Sequence, residues 1–244
     1  MHQFVASPLP NPLPAVPGEG TRRFAVACVV ALTSHACSIA RAAPLDDATL
    51  NRLDACDAKV AAIKDLTATF EQKKFSPLLK KPLVSRGTIR AKGDAMLWLS
   101  DTPEPTRLRI DGTSLQLLYV NQKTLEVYPL KGKMASMAAS PLPRLATLRE
   151  KFDLSADPHA KPGTLAVLLT PKDAELKQFV DTVRVTLDEA AGVVRIFELT
   201  DPDGERTEIT FTDPKPNTGL TEKDLALDVP PGTKTTRPLD TAAP

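Results

Sequence analysis

The sequence predicts a mainly β, α+β chain whose strands follow one another as antiparallel neighbours. Three observations carry this. Short apolar runs, several of period two, recur through most of the chain. Turn dipeptides such as Gly93-Asp94, Asp111-Gly112 and Asn121-Gln122 separate them, at spacings too short for parallel crossovers. Helical periodicity is confined to one segment ahead of the strands and one among them.

Before these elements comes a stretch that reads as a leader and not as fold. Arg22-Arg23 precedes an uncharged, mostly apolar run from Phe24 to Ala40, followed by Ala40-Arg41-Ala42 and Ala43-Pro44. A positive flank, an apolar segment and alternate small residues make a secretory signal, cleaved near Ala42 or Ala43. The run is short for a bilayer span of about 20 residues, and it holds Ser34 and His35. Pro8 to Pro17 is then either a long n-region or a misplaced start. Neither Cys28 nor Cys37 suits lipid attachment: Ser34-His35-Ala36 offers no leucine-like residue, and Cys28 has almost no apolar segment before it. The resulting division is 1–43 leader, 44–232 one domain and 233–244 a polar, disordered tail. With the leader gone, Cys56 has no disulfide partner, and stability rests on an ordinary core.

The domain opens with a helix capped by Asp46 or Asp47, on which Leu53, Cys56, Val60 and Ile63 recur at spacings of three and four. Arg52, Asp54, Lys59 and Lys64 largely face water. After Lys64 the period becomes two, with Leu66, Ala68 and Phe70 on one side and Thr67, Thr69, Glu71 and Lys73 on the other. Strand-like runs follow at Val84–Lys92, Ala95–Ser100, Thr106–Ile110, Ser114–Val120 and Thr124–Leu130. More come at Lys151–Ala156, Thr164–Thr170, Val180–Asp188, Val193–Thr200, Glu205–Asp213 and Leu225–Val229. The turn Asp201-Pro202-Asp203-Gly204 is a strong hairpin signal. Between the two groups, Met134 to Glu150 forms a Pro-broken helical insertion bearing Met134, Met137, Leu142, Leu145 and Leu148. It serves either as a plug for the core or as a lid, since methionine surfaces adapt to varied apolar partners.

Leu97-Trp98-Leu99, Leu117-Leu118-Tyr119 and Val193-Val194 with Ile196-Phe197 are apolar on both faces, whereas a sheet wet on one side alternates cleanly. Both faces must therefore be covered, by helices, a second layer or a ligand. With 5% aromatics, any cavity is aliphatic and suits acyl chains better than sugars or bases. A filled β-core is the other reading of the same pattern.

Several function classes are disfavoured. The formal charge of +1, from 31 basic and 30 acidic residues, gives no basic surplus for nucleic acid. Lys73-Lys74 and Lys80-Lys81 read as a solvated hairpin end. After cleavage His159 is the one histidine left, in the turn Asp157 to Pro162. No metal set, phosphate loop or nucleophile elbow is legible. Cys56 fits the buried helix stripe better than a nucleophile paired with His159. No cofactor and no enzyme activity are expected, and the chain is expected to be a monomer.

The order of parts resembles the LolA-type periplasmic lipoprotein carriers. The initial helix leads into a strand with Phe70-Glu71-Gln72, and Gly87-Thr88-Ile89 resembles the family's glycine-led second strand. Trp98 with Pro103 or Pro105, Asp111-Gly112 with Leu117, Leu118 and Tyr119, and Pro141-Leu142-Pro143 continue the series. Asp201, Gly204, Phe211, Asp213, Asn217, Leu220 and Pro231-Gly232 close it. The resemblance spans about Asp46 to Gly232. It implies a single curved antiparallel sheet forming an incomplete barrel, closed by the N-terminal helix and a mid-chain helical lid. It also implies acylated lipoprotein or other lipid cargo, an inner-membrane ABC transporter as source and an outer-membrane receptor as destination. The cavity candidates are Phe70, Leu97, Trp98, Leu99, Leu117, Tyr119, Val127, Phe197 and Phe211, and the lid candidates are the five residues of the insertion. Two positions depart from the pattern. Leu97 stands where the family has an arginine that bonds the lid, leaving Arg86, Arg90, Arg107 or Arg109 to substitute, and Leu225 stands where phenylalanine is frequent. The departures keep a specialised carrier of a glycolipid or lipid-linked metabolite open beside the general carrier. A lipid- or lipoprotein-sensing module is the reading of another class.

Overall fold

The computed structural model describes residues 45–129, 142, 145–157 and 160–238. Helix α1 (Asp47–Ala61) starts where the Asp46 carboxylate accepts the Thr49 N–H at 2.7 Å, a cap that stabilises a helix by about 1 kcal/mol. Six strands follow: β1 (Asp65–Phe75), β2 (Leu83–Lys92), β3 (Ala95–Thr102), β4 (Thr106–Ile110), β5 (Ser114–Tyr119) and β6 (Thr124–Pro129). Helix α2 (Leu145–Lys151) leads directly into β7 (Phe152–Ala156). Then come β8 (Thr164–Pro171), β9 (Thr182–Asp188), β10 (Val194–Thr200), β11 (Arg206–Pro216) and a short β12 (Lys234–Thr236).

All twelve strands form one open sheet in the order β12-β6-β5-β4-β3-β2-β1-β11-β10-β9-β8-β7. Two meanders, β1 to β6 and β7 to β11, are joined along β1 and β11. Pairing is antiparallel throughout except that β12 runs parallel to β6. The sheet curls strongly. β3 and β11 lie three strand spacings apart, about 14 Å along the sheet, yet the rings of Trp98 and Phe211 approach to 5.7 Å between centroids.

Helix α1 covers one end of the inner face with buried Leu53 and Cys56. Ile63, expected on that stripe, falls beyond the helix. Arg52 and Lys59 do not simply face water. Arg52 Nε donates to Glu189 Oε1 at 2.7 Å and the Lys59 ammonium donates to the Glu189 carbonyl, tying α1 to the β9–β10 turn. Gly192 in that turn adopts a φ of 77°, and a Cβ there would sit 2.9 Å from the Cys56 carbonyl oxygen.

Two expectations for the C-terminal region do not hold. Leu225–Val229 is not a strand. A short 3-10 helix (Glu222–Leu225) forms instead, and the chain then crosses the outer face of the sheet. Its apolar alternation reflects packing on one side, with Leu225 buried, Leu227 half-buried and Val229 exposed. Its carbonyls are satisfied by side chains: Lys92 donates to Leu220 at 2.6 Å, Arg90 to Asp224 at 2.9 Å and Arg109 to Leu225 at 3.1 Å. Residues 234–236, placed by sequence in a disordered tail, are β12. Three residues carry no readable period, and the strand is set by Gly232 at φ 79° and by the Lys234 N–H donating to Lys123 O at 2.8 Å.

The crossing begins at a clamp. Asn217, at φ 56°, donates its N–H to Asp65 O at 2.8 Å and accepts the Lys64 N–H at 2.8 Å. The buried Asp65 carboxylate accepts the Thr218 N–H at 2.7 Å, the Thr218 hydroxyl at 2.8 Å and the Gly219 N–H at 3.1 Å. Burial alone would raise the Asp65 pKa, but these bonds outweigh it and hold the group below the ordinary carboxylate value. A depressed folded pKa contributes stability that is present above the unfolded value and lost as pH falls through the folded one. Asp65→Asn is therefore expected to lower Tm at neutral pH and to flatten its fall below about pH 4, as followed by thermal melts across pH. Gly87 supports a second expectation. A Cβ there would lie 1.9 Å from the Leu99 carbonyl oxygen, which is strand backbone and cannot swing aside. Gly87→Ala should cost about 3 kcal/mol, read as a lower denaturation midpoint at unchanged slope.

Candidate functional site

Alternation on each strand places one set of side chains inside the curl. A central row across the sheet is set by the register Ala68–Ile89–Trp98–Leu108–Leu117, all buried. Beside it Phe70 pairs with Phe211. Phe70 meets Trp98 edge-on at 4.8 Å between centroids, and Phe211 lies tilted on its other side. The three rings mark the middle of a continuous apolar surface that extends through Val185, Val167 and Leu169 to Phe152.

The predicted residues divide by face. Phe70, Trp98, Leu117 and Phe211 belong to this inner cluster, and Tyr119 and Phe197 pack against it half-buried. Leu97, Leu99 and Val127 point the other way. Leu97 and Leu99 flank Trp98 on the same strand, and Val127 pairs with Gln116, one position from the inward Leu117. With Arg90, Arg107 and Leu118, Leu97 and Leu99 line a crevice of about 390 Å³ on the outer face, under Ala226, Leu227 and Pro230. Position 97 is thus separated by the thickness of the sheet from α1 and α2, and no side chain there can bond a helix on the inner face. Arg86, Arg90, Arg107 and Arg109 share that outer side. Arg86 pairs with Glu71 at 2.6 Å, while the others bond Asp224 O, Asp101 and Leu225 O, respectively. None of them substitutes for a latch to the helices.

Of the lid candidates, Leu142 and Leu148 pack half-buried against the inner cluster, and Leu145 opens α2. Met134 and Met137 lie outside the described residues, as do the leader and His159. Arg149 Nη2 donates to Asp54 Oδ1 at 2.8 Å, joining α2 to α1 through side chains that are 33% and 60% exposed.

Sequence reasoning missed a polar group at the β6 margin. Glu126 pairs across the ladder with Leu117, and Tyr128 with Leu115, so both point inward. Tyr128 Oη donates to Glu126 Oε2 at 2.8 Å. Burial, with Glu126 nearby, pushes the Tyr119 phenol up to about 12 and raises that of Tyr128 as well. Both remain hydrogen-bond donors at physiological pH. The available signal was alternation in Thr124-Leu125-Glu126-Val127-Tyr128, which the sequence reading resolved toward the apolar side.

Little here suits covalent chemistry. Burial raises the Cys56 thiol pKa, which keeps it protonated. Among the described residues no group of three His, Cys, Asp or Glu side chains is placed to hold a metal ion, and no helix is long and apolar enough to cross a membrane.

Comparison with known proteins agrees with this geometry. The sequence profile of the family described as "Outer membrane lipoprotein carrier protein LolA" matches residues 61–225. An outer-membrane lipoprotein carrier protein of Vibrio cholerae serotype O1 is 28% identical over 173 residues, covering 68% of this chain and 82% of its own. Among solved structures, an uncharacterized conserved protein of Thermus thermophilus superposes with a TM-score of 0.50 at 13% identity, over 78% of this chain and 99% of that one. A LolA superfamily protein of Nitrosomonas europaea gives 0.41 at 11% identity, over 73% and 97%. The family is one of carriers and not of enzymes. The profile match covers the helix end, both meanders and the clamp, and the chain belongs to the LolA outer membrane lipoprotein carrier family.

Proposed function

We propose that the chain is a periplasmic carrier that holds the acyl chains of a lipoprotein against the inner face of its sheet. In this reading it takes cargo from an inner-membrane ABC transporter and passes it to an outer-membrane receptor. The observation that carries the proposal is the inner face itself. Its central row and the Phe70–Trp98–Phe211 cluster are uncharged and mostly apolar over many strands. Such a lining takes hydrocarbon without demanding its hydrogen bonds. Membership of a carrier family supports the same reading, and so does the apolar run Phe24–Ala40 with its small-residue exit, read as an export signal.

Carriage needs reversible burial. Each methylene hidden from water contributes about 0.8 kcal/mol, so the protein must offset most of that and still release its guest. A cover that fills the inner face when it is empty and lifts when it is loaded meets both demands. The α2 side is the part suited to lifting. Helix α2 is seven residues long and touches the cluster through Leu148, with Leu142 just ahead of it, and is joined to α1 by a partly exposed ion pair, which is worth about 0–1 kcal/mol. The fully buried Leu53 and Cys56 make α1 the fixed part.

The Glu126–Tyr128 pair and Tyr119 favour a second reading, a specialised carrier whose lipid has a hydrogen-bonding head such as a sugar. Glu126→Gln should then weaken a glycolipid at least about tenfold, the worth of one charged hydrogen bond, and leave a simple lipopeptide unchanged in a fluorescence titration.

Trp98, the single tryptophan, sits in the middle of the surface and reports on it directly. Acylated peptide from a lipoprotein should shift its emission, and the unacylated form of the same peptide should not. The purified protein should also yield lipid on extraction and native mass spectrometry. A protein found empty, with Trp98 indifferent to both peptides, would sink the carriage reading.

A further inference from the structure

Leu78 is 91% exposed and Leu79 40%, whereas the other large apolar side chains among the described residues, apart from Val229 at 41%, are covered. Both lie in the β1–β2 turn, in the sequence Ser76-Pro77-Leu78-Leu79-Lys80-Lys81-Pro82. A lone exposed leucine needs no explanation. This pair comes with two further features.

The first is stiffness. The Leu79 N–H donates to Ser76 O at 3.0 Å and the Leu78 N–H to Ser76 Oγ at 3.4 Å, with Pro77 fixing φ at the second position of the turn. Below the turn, the Arg206 guanidinium stacks 3.8 Å over the Phe75 ring, and Lys74 pairs with Glu205 at 2.9 Å. The leucines are thus presented at the tip of an anchored hairpin, with Pro77 and Pro82 limiting the ways the tip could fold back to hide them. The second feature is charge. Lys73 and Lys74 are used in ion pairs with Glu71, Glu208 and Glu205. Lys80 and Lys81, next to the leucines, are exposed and have no ion pair among the described residues.

We propose that this turn is a membrane-touching finger. Leu78 and Leu79 enter the acyl boundary of a bilayer that carries anionic phospholipid, while Lys80 and Lys81 meet its phosphates. A bilayer fits better than a protein groove, because two leucines offer far less than the roughly 800 Å² per partner of a standard protein interface. Insertion into a lipid surface has no minimum area, and basic residues beside apolar ones are the composition that such surfaces retain. The inference rests on the carriage reading for its purpose, since it names the surface at which cargo is exchanged, but its geometry is independent of the inner face.

The test is flotation of the purified protein with vesicles of phosphatidylethanolamine and phosphatidylglycerol, beside vesicles of phosphatidylcholine alone. The protein should float with the anionic vesicles and detach as salt rises. The double variant Lys80→Gln/Lys81→Gln should bind about 25-fold more weakly, roughly fivefold per lysine, and Leu78→Ser/Leu79→Ser at least about tenfold more weakly. Both should keep the Trp98 response to acylated peptide. As a second readout, Leu78→Cys carrying an environment-sensitive dye, in a chain with Cys28→Ser and Cys37→Ser, should shift to the blue on anionic vesicles, Cys56 being buried and spared from labelling. Wild-type protein that ignores vesicles, or leucine variants that bind like wild type with an unshifted dye, would overturn the finger and leave carriage standing. Loss of the Trp98 response in the wild type, with vesicle binding intact, would instead remove carriage and keep the finger.

Discussion

The fold depends on a simple constraint: a single sheet has two faces, and this chain has to cover both of them over its first meander. Without a second sheet to pack against, the cover must come from the ends and the middle of the same chain. The Asp65–Asn217 clamp makes the outer cover possible. It joins the first residue of β1 to the loop just beyond β11, its antiparallel neighbour, and there turns the chain across the outer surface. A carboxylate that accepts two N–H groups and a hydroxyl in a buried place is strong enough to hold such a turn, and the left-handed backbone at Asn217 gives the direction.

The two covers are built differently, and the difference bears on function. The outer segment is bound by basic side chains of β2 and β4 donating to its carbonyls, with Leu225 fully buried beneath it. Hydrogen bonds from charged donors contribute about 1.5–3 kcal/mol each, and several of them would have to break together before the segment could leave. On the inner face, α1 is similarly fixed by buried side chains and by its bonds to Glu189. The α2 side has half-buried leucines, a partly exposed ion pair to α1 and a hydrogen bond from Lys172 to the Arg149 carbonyl at 2.8 Å. The more lightly held cover therefore lies over the continuous apolar inner face. A carrier needs that arrangement, whereas a protein built for rigidity would place its weak cover elsewhere.

The meanders and the first helix were legible because their periods are local. Leu66, Ala68 and Phe70 alternate, Leu53 and Cys56 stand one turn apart, and Asp201 to Gly204 spell a turn. The facing of β3, β5 and β6 was less legible for the reason that makes the fold work. When both faces are covered, Leu97 and Leu99 are as apolar as Trp98, and Val127 is more apolar than Glu126. Polarity then no longer tells inside from outside, and only cross-strand register does. The segment Leu225–Val229 misled in the same way, since alternation records packing on one side whether or not a neighbouring strand supplies hydrogen bonds. Asn217 was noted as part of a pattern, but its work as a clamp depends on Asp65, some 150 residues earlier in the chain, and no local signal links the two.

The leucine at position 97 shows how facing changes the meaning of a substitution. Read along the sequence, it removes a bond to a lid. In the folded chain it lies on the outer surface beside Arg90 and Arg107, beneath Ala226, Leu227 and Pro230. A third guanidinium there would crowd Arg90, Arg107 and Lys223 in a crevice where Asp228 is the one carboxylate lining it, a desolvation and like-charge cost that leucine avoids. Leucine fits that position, and the control of opening has to be sought on the other side of the sheet. There, Asp54 on α1 and Arg149 on α2 meet at 2.8 Å. On the proposed carrier reading, their attraction would be weak enough for incoming hydrocarbon to outweigh and directional enough to return α2 to its place when the hydrocarbon leaves.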